Sequence, residues 1–195
     1  MKTSFISEKG IYVCDAGCSG GHQLLSMAEH YPQSTFLGYD IDQDIIDSDN
    51  QKASKRGLKN VSFTFQDGCN MPPDWSNKFD VLMVWDVVHD VPHSQRFLEE
   101  IYRVLKPDGL FFMMDIKTHS ELGDNMCNGG APTLYGLSLF HCMPVSLNHE
   151  GGEGLGTCWG IEKQRQYLEN AGFIDIELLN ARNDHHSYFI SYKKA

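Results

Sequence analysis

Short apolar runs alternate with amphipathic stretches along the first two thirds of the chain. Ile11-Tyr12-Val13-Cys14 is an apolar run that ends at Asp15 and a glycine-rich turn. Leu24, Leu25, Met27 and Ala28 then share one helical stretch. Thr35 to Tyr39 reads as a strand ending at Asp40. Asp42 suits the N-cap of a helix carrying Ile45, Ile46 and Ala53, with Gly57 as its stop. Val61-Ser62-Phe63-Thr64-Phe65 alternates as a half-buried strand does. Val81-Leu82-Met83-Val84-Trp85 is nearly all apolar, which suits a strand covered on both faces of a parallel sheet. Phe97, Leu98, Ile101, Val104 and Leu105 keep helical spacing, and Lys106-Pro107-Asp108-Gly109 is predicted to end that helix in a turn. A further buried-strand run, Leu110 to Met114, ends at Asp115. Repeated strand-then-helix alternation implies βαβ units, right-handed crossovers and an α/β fold.

The tail differs. Ile161 to Ala171 has helical spacing with Gly172 after it, Ile174 to Leu178 alternates, and Ser187 to Tyr192 is strand-like. His185 and His186 are read as a turn before that last strand. Residues 116–159 lack clear periodicity, and a long irregular segment in a compact domain is commonly a loop or lid with a function. Its aromatics, with Leu134, Leu137, Leu139 and Phe140, predict that it packs on something. The chain is therefore expected to be one domain, residues 1–195, with a lid or insert at about 116–159.

Composition narrows the function. Sixteen Lys and Arg against 26 Asp and Glu leave a net charge of −10, so no basic face is expected for nucleic acid, and an anionic membrane would repel the chain. No apolar run is long enough for a transmembrane helix. Six cysteines without a C-x-x-C pair argue against a disulfide scaffold or a zinc ribbon. MKTSFISEKG lacks the apolar centre of a signal peptide, so a reducing, cytoplasmic setting is expected. His119, His141 and His149 with Cys127, Cys142 and Cys158 match no recognised ligand spacing, and no metal is expected.

Open α/β sheets bind ligands beyond the carboxyl ends of their strands. An aspartate stands at or just past each such end here: Asp15, Asp40, Asp67, Asp86 with Asp90, and Asp115. The first lies in Asp15-Ala16-Gly17-Cys18-Ser19-Gly20-Gly21-His22. A dinucleotide fingerprint starting at Gly17 needs glycines where Ser19 and His22 stand, so that fingerprint fails. A carboxylate at Asp40 can accept both protons of a cis-diol. Helix capping is the competing reading of Asp40, and a surface turn that of Asp67.

The series resembles the class I S-adenosylmethionine-dependent methyltransferases. Asp15, Gly17 and Gly21 match their acidic-x-Gly-x-Gly-x-Gly motif, and Ser19 stands at its central glycine. Leu105-Lys106-Pro107-Asp108-Gly109, Met113 to Lys117 and Gly172-Phe173 look like later motifs of the family. His119-Ser120, Asp124-Asn125-Met126, Leu134 to Ser138, His141-Cys142-Met143 and Gly154 to Thr157 look like one branch of it. Longer members of that branch carry a winged-helix-like domain ahead of the first strand, and ten residues precede Ile11 here.

The resemblance implies a Rossmann-like, doubly wound α/β/α sandwich. Its seven-stranded sheet would be mostly parallel with an antiparallel last strand. S-adenosyl-L-methionine is the implied cofactor. Asp15, Gly17, Ser19 and Gly21 would hold its methionine and ribose end, and Asp40 with Ile41 the ribose. Asp67 and Gly68 would sit near the adenine, with Trp85 and Asp86 completing the site. No Pro-Pro motif of adenine-N6 or glutamine methyltransferases follows Trp85. His89-Asp90 instead looks like the His-Asp pair of small-molecule O-methyltransferases, in which His takes the acceptor's hydroxyl proton. A His with pKa near ambient pH suits that work, and a loop-holding role competes with it. The expected function is methyl transfer to a small-molecule acceptor, most simply at oxygen. The alternative from another class is a non-catalytic protein of this fold that binds the cofactor or a partner. The oligomeric state is left open.

Overall fold

The computed structural model describes residues 10–180 and 185–194. Seven strands form one sheet: β1 (Tyr12–Ala16), β2 (Thr35–Asp40), β3 (Val61–Phe65), β4 (Phe79–Trp85), β5 (Leu105–Ile116), β6 (Ile174–Leu178) and β7 (His186–Tyr192). Their spatial order is β3-β2-β1-β4-β5-β7-β6. Neighbours from β3 to β5 are parallel, and β7 runs antiparallel to both β5 and β6. The helices are α1 (His22–His30), α2 (Gln43–Lys55), α3 (Ser94–Val104), α4 (Ala131–Leu137), α5 (Met143–Leu147) and α6 (Gly160–Asn170). None is long and apolar enough to cross a membrane.

The sheet separates two cores. Cys14, Ala16, Leu37, Tyr39, Leu82 and Val84 cluster with Leu98 and Ile101 of α3 and Leu168 of α6. Val13, Phe36 and Met83 alternate with them and join Leu24, Leu25 and Ala28 of α1 and Ile46 and Ala53 of α2. Because helices cover both faces, the central strands carry apolar residues at nearly every position. This is the doubly wound α/β/α sandwich, with its last strand reversed. Asp42 does cap α2, accepting from the Asp44 and Ile45 amides, and Gly57 (φ +71°) follows its end.

Three expectations change. The predicted break at residues 106–109 lies inside β5. Leu105, fully buried, already pairs with Phe79, and Leu110 resumes the ladder opposite Val81. The intervening residues bulge outward, with Asp108 at φ 59°. His186 is not in a turn but opens β7, opposite Ile116.

The third change concerns the insert between β5 and α6. It holds a short 3-10 turn (Leu122–Asn125), α4, a π turn (Ser138–Cys142) and α5. Leu137, Leu139 and Phe140 are exposed, Phe140 at 83%, whereas Leu134 is half-buried, Leu155 packs against the core and Trp159 is buried in it. The inner stripe is built from Ala131, Ser138, Cys142 and Ser146. The insert does pack on the domain, through these small residues together with Leu155 and Trp159, while Leu137, Leu139 and Phe140 stay outside the contact.

Gly38 shows how tightly the glycine-turn side is packed. A Cβ there would stand 2.6 Å from the Phe63 ring and 2.9 Å from Cys18 Sγ. Gly38→Ala is expected to lose about 1–3 kcal/mol through overpacking. Urea unfolding of the variant checks this, and an unchanged midpoint would show that the Phe63–Cys18 contact yields freely.

Candidate active site

Parallel register places the carboxyl ends of four strands along one rim. Ala16 sits opposite both Tyr39 and Val84, and Asp40 opposite Phe65. Gly17, Asp40, Asp67 and Asp86 therefore share one edge of the sheet. The glycine turn is anchored there by its own backbone. The amides of Gly17 and Cys18 donate to the Tyr39 carbonyl at 2.9 and 3.0 Å, and that of Gly21 to the Cys18 carbonyl at 3.0 Å. Asp40 clamps the turn from β2, one carboxylate oxygen accepting from the Ser19 amide at 3.0 Å and the other from the Asp42 amide at 3.2 Å.

Glycine is needed at Gly17 for two reasons: φ is +69°, and a Cβ would meet Val87 at 2.8 Å. Ser19 takes the same left-handed region, at φ 45°. A non-glycine residue holds that conformation at a cost of about 1–2 kcal/mol, so the turn keeps its shape where the family motif has its central glycine. Behind the turn, Lys52 Nζ donates to the Gly20 carbonyl at 3.1 Å and to Asp49 at 2.7 Å.

The turn borders a hollow of about 190 Å³, lined by Asp15, Gly17, Cys18, Ser19, Gly20, His22, Gln23 and Trp85. Asp15 is 1% exposed, and neither carboxylate oxygen has a hydrogen-bond partner among the described residues. Burial, with the charge of Asp40 adding to it, pushes its pKa up to about 8. Buried polar groups are nearly always bonded, so an orphaned carboxylate beside a cavity marks a place for a donor or a cation. Trp85 Nε1 is likewise buried without a partner among the described residues. Outside the hollow, Ile41 and Phe65 expose 70% and 53% of their surface on the rim. Asp67 is exposed and accepts from the Cys69 amide at 2.8 Å, which closes its own turn. Gly68 is buried where a Cβ would overlap the Phe97 ring.

His89 lies past the end of β4, 3% exposed. Its Nδ1 is 2.9 Å from Asp115 Oδ1, and Asp115, at the end of β5, is fully buried. Nε2 faces Asp90 Oδ1 at 3.5 Å, and Asp86 stands 3.8 Å from Nδ1. Burial works against a charged ring. The hydrogen bond and charge of Asp115 win, helped by Asp90 and Asp86, and raise the pKa to about 9. The insert closes over this loop. Gly156 N–H donates to the His89 carbonyl at 3.3 Å, Glu153 N–H to that of Pro92 at 2.8 Å, and Ser146 Oγ–H to that of Val91 at 3.3 Å.

The family described as "Methyltransferase domain" matches residues 7–172. The chain belongs to the class I S-adenosylmethionine-dependent methyltransferases. It is 30% identical over 182 residues to the demethylmenaquinone methyltransferase of Geobacillus kaustophilus, covering 88% of this chain and 74% of that one. It is also 30% identical over 111 residues to the ubiquinone biosynthesis O-methyltransferase of Coxiella burnetii, covering 57% of this chain and 46% of that one. In fold it resembles phosphoethanolamine N-methyltransferase 2 of Haemonchus contortus, solved in complex with S-adenosyl-L-methionine, with a TM-score of 0.69 at 15% identity over 96% of this chain and 50% of that one. S-adenosylmethionine is the cofactor of this methyltransferase.

Cys18, Gly20 and His22, which belong to the glycine-turn stretch but carry no assigned role in the sequence reading, line the hollow, as does Gln23, which lies just outside that stretch. His22 and Gln23 follow the turn as the first residues of α1, so helix phase alone could have found them. Asp115 was noted only as a strand end; nothing local says that it meets His89, 26 residues away.

The state of Asp15 sets a pH dependence. In the unfolded chain its carboxyl ionises near pH 4, whereas the folded chain holds the proton to about pH 8. Within that window the native state binds more protons, so stability falls as pH rises, by up to about 1.4 kcal/mol per unit. Asp15→Asn is expected to melt higher than the native chain at pH 8, with the gap closing toward pH 4. Thermal melts across that range check it, and a gap independent of pH would overturn the assignment.

Proposed function

We propose that this methyltransferase passes its methyl group to an oxygen of a small-molecule acceptor, in the cytoplasm, with His89 at the reacting centre. The observation that carries the reading is the pair of unbonded, buried oxygens on Asp15 beside a glycine turn. A cofactor that brings a cationic amino-acid end satisfies that carboxylate, which is costly without it.

The turn, through Asp15, Gly17, Ser19 and Gly21, is assigned to that end. Asp40 is assigned to the ribose hydroxyls, with lone pairs beyond those used by the Ser19 and Asp42 amides. Ile41 lies next to it and offers an apolar face to the adenine, while Asp67 and Gly68 border the adenine edge. Trp85 and Asp86 form the side toward β4. The bound cofactor supplies an electrophilic methyl group on a sulfonium. The chain's own work is to align the acceptor against it and to handle the acceptor's proton, since alignment alone supplies several powers of ten in rate.

The relatives' names support a small-molecule acceptor: a demethylmenaquinone for one and ubiquinone biosynthesis for another. One of these names specifies oxygen and the other gives no atom. His89 favours oxygen. Asp115 fixes the ring through Nδ1, and Nε2 is then the nitrogen available for the acceptor's hydroxyl. Residues 116–159 are assigned as the cover of this centre, on the strength of the bonds from Ser146, Glu153 and Gly156 to the His89 loop. Six free thiols accord with a reducing compartment.

One observation favours a second role for His89. The ring keeps its proton to about pH 9, and an imidazolium donates a hydrogen bond instead of taking a proton. His89→Gln separates the two, since Gln can donate but cannot act as the base. Methyl transfer is followed with labelled cofactor over a panel of phenolic and enolic acceptors. As a base, His89 is expected to lose about 10²–10⁴ in turnover on change to either Ala or Gln, with cofactor affinity unchanged. Recovery of turnover by Gln alone would establish the donor role. Wild-type turnover in His89→Ala would remove it from the chemistry. Titration calorimetry with the cofactor and its demethylated product tests the cofactor site itself, and no heat from either would sink it.

A further inference from the structure

The Nε2 side of His89 is bordered by two other potential metal ligands from different parts of the chain. Asp90 Oδ1 comes from the loop after β4, and Cys142 Sγ from the last residue of the π turn in the insert. With His89, their donor atoms all lie within 4.8 Å of one another. Spacing along the sequence does not show this set: His89 and Asp90 are adjacent, and Cys142 is some fifty residues on, in a segment whose cysteines and histidines match no ligand pattern.

Three details suit a metal better than a random meeting of polar groups. Asp90 Oδ1 is out of solvent and no nitrogen or oxygen donor among the described residues bonds to it; it faces Nε2 at 3.5 Å and the Cys142 thiol, the other members of the set. Asp115 holds Nδ1 at 2.9 Å, which is the carboxylate–histidine arrangement that orients a ring for a metal on its other nitrogen. Cys142 is buried, 4% exposed, and it reaches the cluster from a π turn, a distortion of helix geometry that recurs at functional sites.

We propose that His89 Nε2, Asp90 Oδ1 and Cys142 Sγ form a site for one thiophilic divalent cation of the zinc class. Nitrogen, thiolate and carboxylate together match zinc's preferences, and three protein ligands leave a fourth, open position. Tetrahedral zinc needs Zn–N and Zn–O near about 2.0 Å and Zn–S near about 2.3 Å, so the donors would have to draw together slightly on binding. Binding displaces the protons on Nε2 and Sγ into solvent, leaving imidazole and thiolate as ligands. The ion joins the insert to the rim of the sheet. On the reading of His89 as base, it also occupies the lone pair that the acceptor's proton needs, so metal occupancy and proton transfer exclude each other.

The test needs neither cofactor nor acceptor, so its outcome is separate from that of methyl transfer. Metal-free protein is titrated with Co(II) under reducing, anaerobic conditions. One cobalt per chain is expected, with a thiolate-to-cobalt charge-transfer band that zinc abolishes on displacement. The band is expected to vanish in Cys142→Ser and to persist in Cys127→Ser, whose cysteine is exposed elsewhere in the insert. Asp115→Asn is expected to weaken binding about 10–100-fold, as loss of an outer-shell partner does. Should Cys142→Ser fail to fold, zinc absorption spectroscopy on the wild-type chain decides instead. One sulfur with nitrogen and oxygen scatterers is expected. A shell of nitrogen and oxygen alone, no thiolate band in the wild type, or a band that survives in Cys142→Ser would overturn the site.

Discussion

A carboxylate with no partner among the described residues, held under a glycine bend, is the constraint around which the cofactor end of this molecule is organised. Asp15 is locked in β1 between Gly38 of β2 and Met83 of β4, so it cannot turn away to solvent without breaking the ladder. Asp40 is nearby but of the same sign, and it already holds the Ser19 and Asp42 amides. The folded chain therefore tolerates a neutralised or strained acid whose natural complement is a cation in the adjoining hollow. Stability and cofactor binding oppose each other at this residue, a pattern common where a site is built ahead of its ligand.

The second centre is made differently. Around His89 the acids are in excess, which raises the ring's pKa, and the surroundings are held by the strand ends and the insert together. Asp115 comes from β5, Asp86 and Asp90 from the loop after β4, and Cys142 from the insert. Asp115 is fully buried, and its Oδ1 also accepts from the Ile116 amide. That fixes the ring's plane and leaves Nε2 as the end with chemistry to do.

Much of the sheet could be read directly. Val61–Phe65 and Ile174–Leu178 form strands at the expected bounds, because alternation and turn residues are local signals. Asp42 caps its helix for the same reason. Pro, Asp and Gly at residues 106–109 signal a turn that ends the helix, whereas the buried Leu105, which already belongs to the sheet and makes these residues a bulge, is a tertiary matter. The insert packs on the domain as its apolar content suggests, but not through all the residues that carry the suggestion. Leu137, Leu139 and Phe140 stay exposed, while the small Ala131, Ser138, Cys142 and Ser146 and the bulky Trp159 are buried, a choice set by the shape of the surface they meet.

The order of apolar runs, the glycine turn and the aspartates at strand ends determined the fold and the location of the cofactor rim. Each depends on residues close in the chain, where backbone sterics and burial periodicity act. What only the tertiary structure decided was which acids stay unbonded and which meet a partner. Asp15 is orphaned and Asp115 is bound to His89, although both read simply as aspartates at the ends of strands. The difference comes from what the neighbouring strands and the insert bring within a few ångströms, and distances between remote segments have no local signature.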